Sequence, residues 1–199
     1  MRKRLDKALE SQYPKLDAAG YRVTSKKDKK YNCVAWAAKR DEEWWWEPLN
    51  EPGCYWPKEV PFNHSFESYV KVFELLGYSY CDNPALEHGF EKVALFSGDF
   101  GWFMHVSHQL EDGKWTSKLG PDEDIKHIVN GSLESDGTLP AYGTVTRILK
   151  RKRQIWEHQD QKRTLSSRLS MFFSTLLKKY FQIRNGNRTS RWPNFKPAT

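Results

Sequence analysis

The spacing of apolar residues predicts helices in the first part of the chain. A short helix is predicted over residues 2–11, and a second over about 32–40. A third is predicted from the N-cap Ser65 to about Leu76, because its apolar residues recur every three or four positions. Gly77 ends this helix, since glycine is the usual residue just past a helix C-terminus.

Beyond Gly77 the apolar period shortens towards two, which is typical of β-strands. Candidate strands cover residues 78–81, 91–97, 103–110, 114–119 and about 142–149. The dipeptide Asp112-Gly113 predicts a tight hairpin turn between two of them. Helices followed by an antiparallel sheet predict an α+β fold.

Charge is divided unevenly along the 199 residues, whose formal net charge is +7. Residues 147–199 carry 14 Lys and Arg against 2 acidic residues, so the rest of the chain is acidic overall. Apolar residues from Leu165 to Tyr180 fall on one side of a predicted amphipathic basic helix. We therefore predict a globular domain over 1–150 and a basic, partly flexible tail over 151–199.

The tail helix is expected to dock on a partner protein, on a second subunit or on an anionic membrane. Nucleic acid is not an expected partner, because no aromatic residues are interleaved with the most basic part.

The three cysteines, Cys33, Cys54 and Cys81, have a spacing that fits neither a disulfide framework nor a zinc site. The first residues are charged without an apolar signal-peptide core, and no run of 18 apolar residues predicts a membrane span. We expect a cytoplasmic protein with no cofactor and no metal site.

Cys33 begins the predicted helix over 32–40, in the run Tyr31-Asn32-Cys33-Val34-Ala35-Trp36-Ala37. A helix N-terminus and a neighbouring imidazolium both lower the pKa of a thiol, because each stabilises the thiolate. His105 lies near the start of the predicted strand 103–110 and is expected to act on Cys33 across the helix–sheet interface. The competing interpretation is an inert, buried cysteine.

The segment from His105 to Ser117 resembles the catalytic hairpin of NlpC-type amidases and peptidases, which are papain-like cysteine hydrolases. In that family a histidine opens a strand, a glycine follows after eight residues, and a third polar residue follows after four more. His105, Gly113 and Ser117 have these offsets. The family's third residue is most often His, sometimes Asn or Gln, so Ser117 departs from it. Asp122 and Asp124 are alternatives for this position.

The chain more closely resembles a group of uncharacterised bacterial proteins. Their pattern runs Y-N-C-x-A-W-A, then tryptophan-rich loops, then H-x-x-x-Q-L-x-x-G-x-W-x-S-K-L-G, then Y-G. The resemblance covers about residues 13–150 and ends with Tyr142-Gly143. It implies a papain-like or NlpC-like fold, with a nucleophile at a helix start and helices packed on an antiparallel sheet.

Together these features predict a cysteine peptidase, amidase or deamidase that acts through a thioester. Cys33 attacks the acyl carbon of a peptide or protein amide, His105 moves the proton, and Ser117 orients the ring. The backbone N–H of Cys33 needs a second donor to the oxyanion, either Asn32 or a tryptophan N–H. The alternative is a catalytically silent scaffold that acts as an interaction module through its basic helix.

Three tryptophans, Trp45, Trp46 and Trp56, are candidates for lining a substrate groove, and core packing is the competing interpretation. Two further histidines are given no catalytic role. His108 alternates away from His105 along a regular strand, and His127 is predicted at the surface.

Overall fold

The structure, a computed structural model, describes residues 3–46, 53–61, 63, 65–128, 130–134 and 141–153. The chain divides into two units, residues 1–153 and residues 154–199. The predicted basic helix of the tail lies outside the described residues.

The described residues form four α-helices, and side-chain caps start three of them. They are α1 (Lys7–Glu10), α2 (Pro14–Ala19), α3 (Cys33–Ala37) and α4 (Phe66–Leu75). Ser65 accepts a hydrogen bond from the backbone N–H of Ser68, which confirms the predicted N-cap of α4. The helix predicted over 2–11 is shorter than expected, and Pro14 begins a separate helix in a position that needs no backbone donor.

Seven of the nine strands form one antiparallel sheet in the order β1-β8-β7-β6-β5-β9-β4, and β2 and β3 form a separate parallel pair. The strands are β1 (Tyr21–Val23), β2 (Trp44–Trp45), β3 (Cys54–Tyr55), β4 (Ser79–Cys81), β5 (Phe90–Ser97), β6 (Phe103–Gln109), β7 (Trp115–Lys118), β8 (Asp124–His127) and β9 (Thr144–Lys152). Gly113, with φ of +79°, lies in the predicted turn between β6 and β7.

Strands β1 and β8 were not predicted, and they pair at one edge of the sheet. Each has only three or four residues, which is too short to show a period-two pattern. The last strand runs to Lys152, past the boundary predicted at residue 150.

Alternation along β5 and β6 divides the core between the two faces of the sheet. On one face Leu95 and Val106 pack with α3 and α4, and we call this the α3 face. On the other face Phe96 lies opposite His105 and packs with residues of α1 and α2, and we call this the His105 face.

Candidate active site

Cys33 is the first residue of α3, and Asn32 caps the helix. The Asn32 side chain accepts from the backbone N–H of Ala35 at 3.1 Å and of Trp45 at 3.3 Å, and donates to the Trp45 carbonyl at 2.7 Å. These bonds fix the start of α3 against β2. They use the carbonyl oxygen and one N–H of the Asn32 amide, so Asn32 caps and positions the helix.

The thiol of Cys33 lies at an opening between β6 and β7. These strands pair only at His108 with Thr116 and Gln109 with Trp115. The N–H of Leu110 donates to the carbonyl oxygen of Lys114 at 2.7 Å, on the side of β6 that faces β7. Because N–H groups alternate along a strand, the N–H of Val106 points to the same side, beyond the pair of His108 with Thr116. There the N–H of Val106 interacts with the thiol.

Burial dominates the chemistry of this thiol. Cys33 is only 6% exposed, and burial raises the pKa of the thiol to about 11, although the N–H of Val106 and the Lys118 cation act to lower it. In the described arrangement the sulfur is therefore a neutral thiol at pH 7. It lies against the peptide bond that joins His105 to Val106.

His105 lies on the face of the sheet opposite to α3. A β-bulge comes just before it, because Phe96 pairs with His105 while Ser97 pairs with Phe103, which leaves Met104 as the extra residue. The imidazole is fully buried and stacks on the Tyr142 ring, with centroids 4.0 Å apart and planes within 6°. The sequence predicted that His105 would act on Cys33 across the helix–sheet interface. In the structure the imidazole lies on the other face and forms no hydrogen bond with Cys33.

Neither ring nitrogen of His105 has a hydrogen-bond partner among the described residues, Cys33 included. Burial lowers the pKa of His105 well below its ordinary value, and the nearby His127 lowers it further. The imidazole is therefore neutral. A buried polar group without a partner is rare in folded proteins and calls for an explanation in terms of function or strain.

None of the three residues considered for the orienting role forms a hydrogen bond with His105. The hydroxyl of Ser117 lies 2.7 Å from that of Ser107 and 3.0 Å from Nε2 of His127. Asp124 accepts from the hydroxyl of Tyr31 at 2.8 Å, and Asp122 pairs with Lys27 at 2.9 Å.

The two histidines set aside from sequence both turn out to be largely buried. His108 lies on the α3 face, as alternation predicts, with its ring 6.2 Å from that of Trp36. His127 was predicted at the surface, and this is wrong: it is fully buried and contacts Ser117 and Ser132 through its two ring nitrogens. The error follows from missing β8, which carries His127 into the sheet.

Tyr142 contacts His105 directly, although no catalytic role was predicted for it from sequence. Its neighbour Gly143 has a φ of +76°, and a Cβ there would come within 1.9 Å of the Ser97 carbonyl oxygen. Only glycine fits this close approach, which holds Tyr142 over the imidazole. The Tyr142 hydroxyl interacts with that of Tyr13. The signal available from sequence was the dipeptide Tyr142-Gly143 itself.

The tryptophans are mostly packing residues. Trp45 and Trp56 are buried in the core of the α3 face, and Trp46 packs partly buried against it. The Trp45 indole N–H is buried and, within the part of the chain that the structure describes, has no acceptor. Because Trp45 is anchored to Asn32, it is a candidate for the second oxyanion donor.

Lys118 brings a buried positive charge to the same region. Its ammonium group donates to the carbonyl oxygens of Asp28 and Asp122 and lies 4.9 Å from the centre of the Tyr31 ring. Burial lowers the pKa of Lys118, while Asp124, Asp28 and Asp122 act to raise it.

A model of one protein family matches residues 22–150, about two thirds of the chain. The chain belongs to DUF7689, a domain of unknown function. The matched segment of the DUF7689 domain contains Cys33, His105 and Tyr142, and it leaves out α1 and α2, which pack on the His105 face.

No curated protein and no solved structure matches the chain. In the described residues no helix is long and apolar enough to cross a membrane. Nor do three or more His, Cys, Asp or Glu side chains there form a group that could hold a metal ion.

Proposed function

We propose that this DUF7689 domain is a papain-like cysteine hydrolase in which Cys33 is the nucleophile and His105 is the base. The observation that carries the proposal is the fully buried imidazole of His105, whose two nitrogens have no partner among the described residues. The next residue, Val106, interacts through its N–H with the thiol of Cys33 at the start of α3. Both ring nitrogens of His127 are bonded, and in His108 only Nδ1 is a buried nitrogen without a partner, whereas in His105 both nitrogens are.

The reaction starts from a neutral thiol and a neutral imidazole. The Cys33 sulfur attacks the carbonyl carbon of a peptide or protein amide while its proton passes to a nitrogen of His105. His105 then gives the proton to the leaving amine, and water hydrolyses the thioester. The imidazole must turn from its stack on Tyr142 towards the opening between β6 and β7 to take the first proton.

Two N–H groups are proposed to stabilise the oxyanion. One is the backbone N–H of Cys33 at the start of α3, and the other is the indole N–H of Trp45. Tyr142 replaces Ser117 as the proposed positioning residue, because its stack holds the resting imidazole while the hydroxyl of Ser117 bonds to Ser107 and His127. Three free cysteines suit a reducing compartment, so we propose that the enzyme acts in the cytoplasm.

The second candidate function is a silent scaffold that works as an interaction module through the basic tail helix. The observation in its favour is the protonated state of Cys33, whose pKa is raised to about 11 by burial, together with the lack of a hydrogen bond to His105. In that case the sulfur is inert core packing.

Alkylation kinetics separate the two candidates, because the chain has a matched second thiol. Cys81 is 7% exposed against 6% for Cys33, and its sulfur lies 3.3 Å from the carbonyl oxygen of Asn83. The folded protein is treated with iodoacetamide at pH 7, and the rate at each cysteine is followed by peptide mass spectrometry. If His105 activates the thiol, Cys33 reacts at least about tenfold faster than Cys81.

The advantage of Cys33 is expected to disappear in His105→Ala and to persist in His108→Ala, which changes a histidine on the same strand but the opposite face. Equal slow rates at Cys33 and Cys81, unaffected by either substitution, would favour the silent scaffold.

A further inference from the structure

A cavity of about 450 Å³ lies at the β1 edge of the sheet. Its walls come from the segment before α1, from the end of α2, from β1 and β8, and from Lys114, which directly precedes β7. Its volume falls within the range that small-molecule sites occupy. The residues that argue for a ligand are Lys3, Arg4, Arg22, Lys114 and Lys126.

These five cations face one acidic lining residue, Asp17. Arg4 pairs with Asp17 and with Glu10, and Lys126 pairs with Asp112 at 2.7 Å. Lys3 pairs with Glu123 at 3.7 Å, so three of the five cations have a carboxylate partner. The other two differ. Within the described ranges, neither Arg22 nor Lys114 has a carboxylate partner. The cavity therefore keeps a positive excess, although the chain outside the tail is acidic overall.

The strand register places like charges directly opposite each other. Arg22 on β1 pairs with Lys126 on β8, and Lys126 pairs in turn with Thr116 on β7, two residues from Lys114. Like charges at directly paired positions of antiparallel strands repel and destabilise the sheet. Arg22 lies on β1, Lys126 on β8 and Lys114 directly before β7, and of the three Lys126 alone is paired with a carboxylate among the described residues, that of Asp112. An added anion would stabilise this arrangement.

We propose that this cavity binds a phosphate group carried by a small molecule. A phosphate dianion suits several converging cations, and the guanidinium group of Arg22 can hold two of its oxygens at once. The cavity does not include Cys33 or His105, so the proposal does not depend on the hydrolase chemistry. Bound phosphate would bridge β1 to β8 and stabilise this edge of the sheet.

The test measures binding of inorganic phosphate and of pyrophosphate to the full chain by titration calorimetry, at constant ionic strength set with sodium chloride. Loss of one charge-assisted contact is expected to weaken binding about tenfold in Arg22→Gln and in Lys114→Gln. Lys58→Gln removes another exposed positive charge, outside the cavity, and is expected to leave the affinity unchanged.

Phosphate is also expected to raise the melting temperature of the wild type more than that of Arg22→Gln, since only the folded state holds the site. Co-sedimentation with phosphatidic acid vesicles that depends on Arg22 would identify a lipid headgroup as the source of the phosphate. The proposal is overturned if chloride at the same ionic strength reproduces the thermal shift, or if Lys58→Gln weakens binding as much as Arg22→Gln.

Discussion

The two faces of the sheet bury polar groups in different ways. On the α3 face the buried Glu91 is paired with Lys39 at 2.5 Å and with Arg151 at 2.5 Å. On the His105 face Lys92 is a buried cation that donates to the carbonyl oxygens of Asn83 and Ala85. On the same face Ser107, Ser117 and His127 form a neutral chain, and His105 has no hydrogen-bond partner among the described residues. Among the described residues, His105 is the buried side chain with two polar atoms that both lack a hydrogen-bond partner, and this is why function is sought there.

The largest effect is expected from breaking the ionic cluster on the α3 face. Burial acts to raise the pKa of Glu91, but Lys39 and Arg151 outweigh it and lower the pKa. Glu91→Ala leaves these cations without their carboxylate and is expected to cost about 3 kcal/mol of unfolding free energy in urea denaturation.

Glu111→Ala is the matched control for Glu91, because Glu111 is 72% exposed and also pairs with an arginine. Its expected cost is below about 0.5 kcal/mol. Equal costs for the two substitutions would show that the buried cluster does not stabilise the α3 face.

The next effect is a change in the pH dependence of stability on the His105 face. The pKa of His105 is lowered in the folded state, so between that value and about 6.5 the unfolded state binds the proton and the folded state does not. Stability is therefore lost as the pH falls below about 6.5. His108, whose pKa burial lowers to about 4, adds a loss of the same sign.

His105→Phe removes the loss of stability at low pH that is due to His105, and it also removes the two ring nitrogens that have no partner among the described residues. The variant is expected to be at least as stable as wild type at pH 7 and about 2 kcal/mol more stable at pH 5, measured by urea denaturation at each pH. The exposed His88 is the control, and His88→Phe should leave the slope unchanged. A His105→Phe variant with the slope of the wild type would mean that His105 is already protonated or satisfied when folded.

The smallest effect is expected from the serine chain. Ser117→Ala leaves the hydroxyl of Ser107 and Nε2 of His127 without this partner and is expected to cost about 1 kcal/mol. Ser79→Ala, at an exposed hydroxyl, should cost much less. If Ser117→Ala also slowed alkylation of Cys33 as strongly as His105→Ala, the predicted orienting role of Ser117 would return.

The parts of the fold that follow from local chemistry could be predicted from sequence. Ser65 caps the start of α4, Asn32 caps the start of α3, and Asp112-Gly113 forms the turn between β6 and β7. Strands β1 and β8 could not be predicted, because their pairing joins residues about a hundred positions apart and neither is long enough to show a period.

The candidate active site could be predicted from sequence only in part. Cys33 at a helix start and His105 on a strand are both as predicted, but the face of the sheet that His105 occupies depends on the bulge at Met104 and on where β6 and β7 part. The partner of Ser117 is His127, which the missed strand β8 supplies. The stack of Tyr142 on His105 depends on the close approach at Gly143, which sequence alone does not specify.

The most direct test of the pairing between Cys33 and His105 is a chemical bridge between them. 1,3-Dibromoacetone alkylates a thiol first, and its second electrophilic carbon can then reach only a nucleophile close to that sulfur. Digestion and mass spectrometry are expected to find a three-carbon bridge from Cys33 to His105, absent from His105→Ala and retained in His108→Ala. A bridge to His108 instead, or an adduct on Cys33 with no bridge at all, would contradict the pairing.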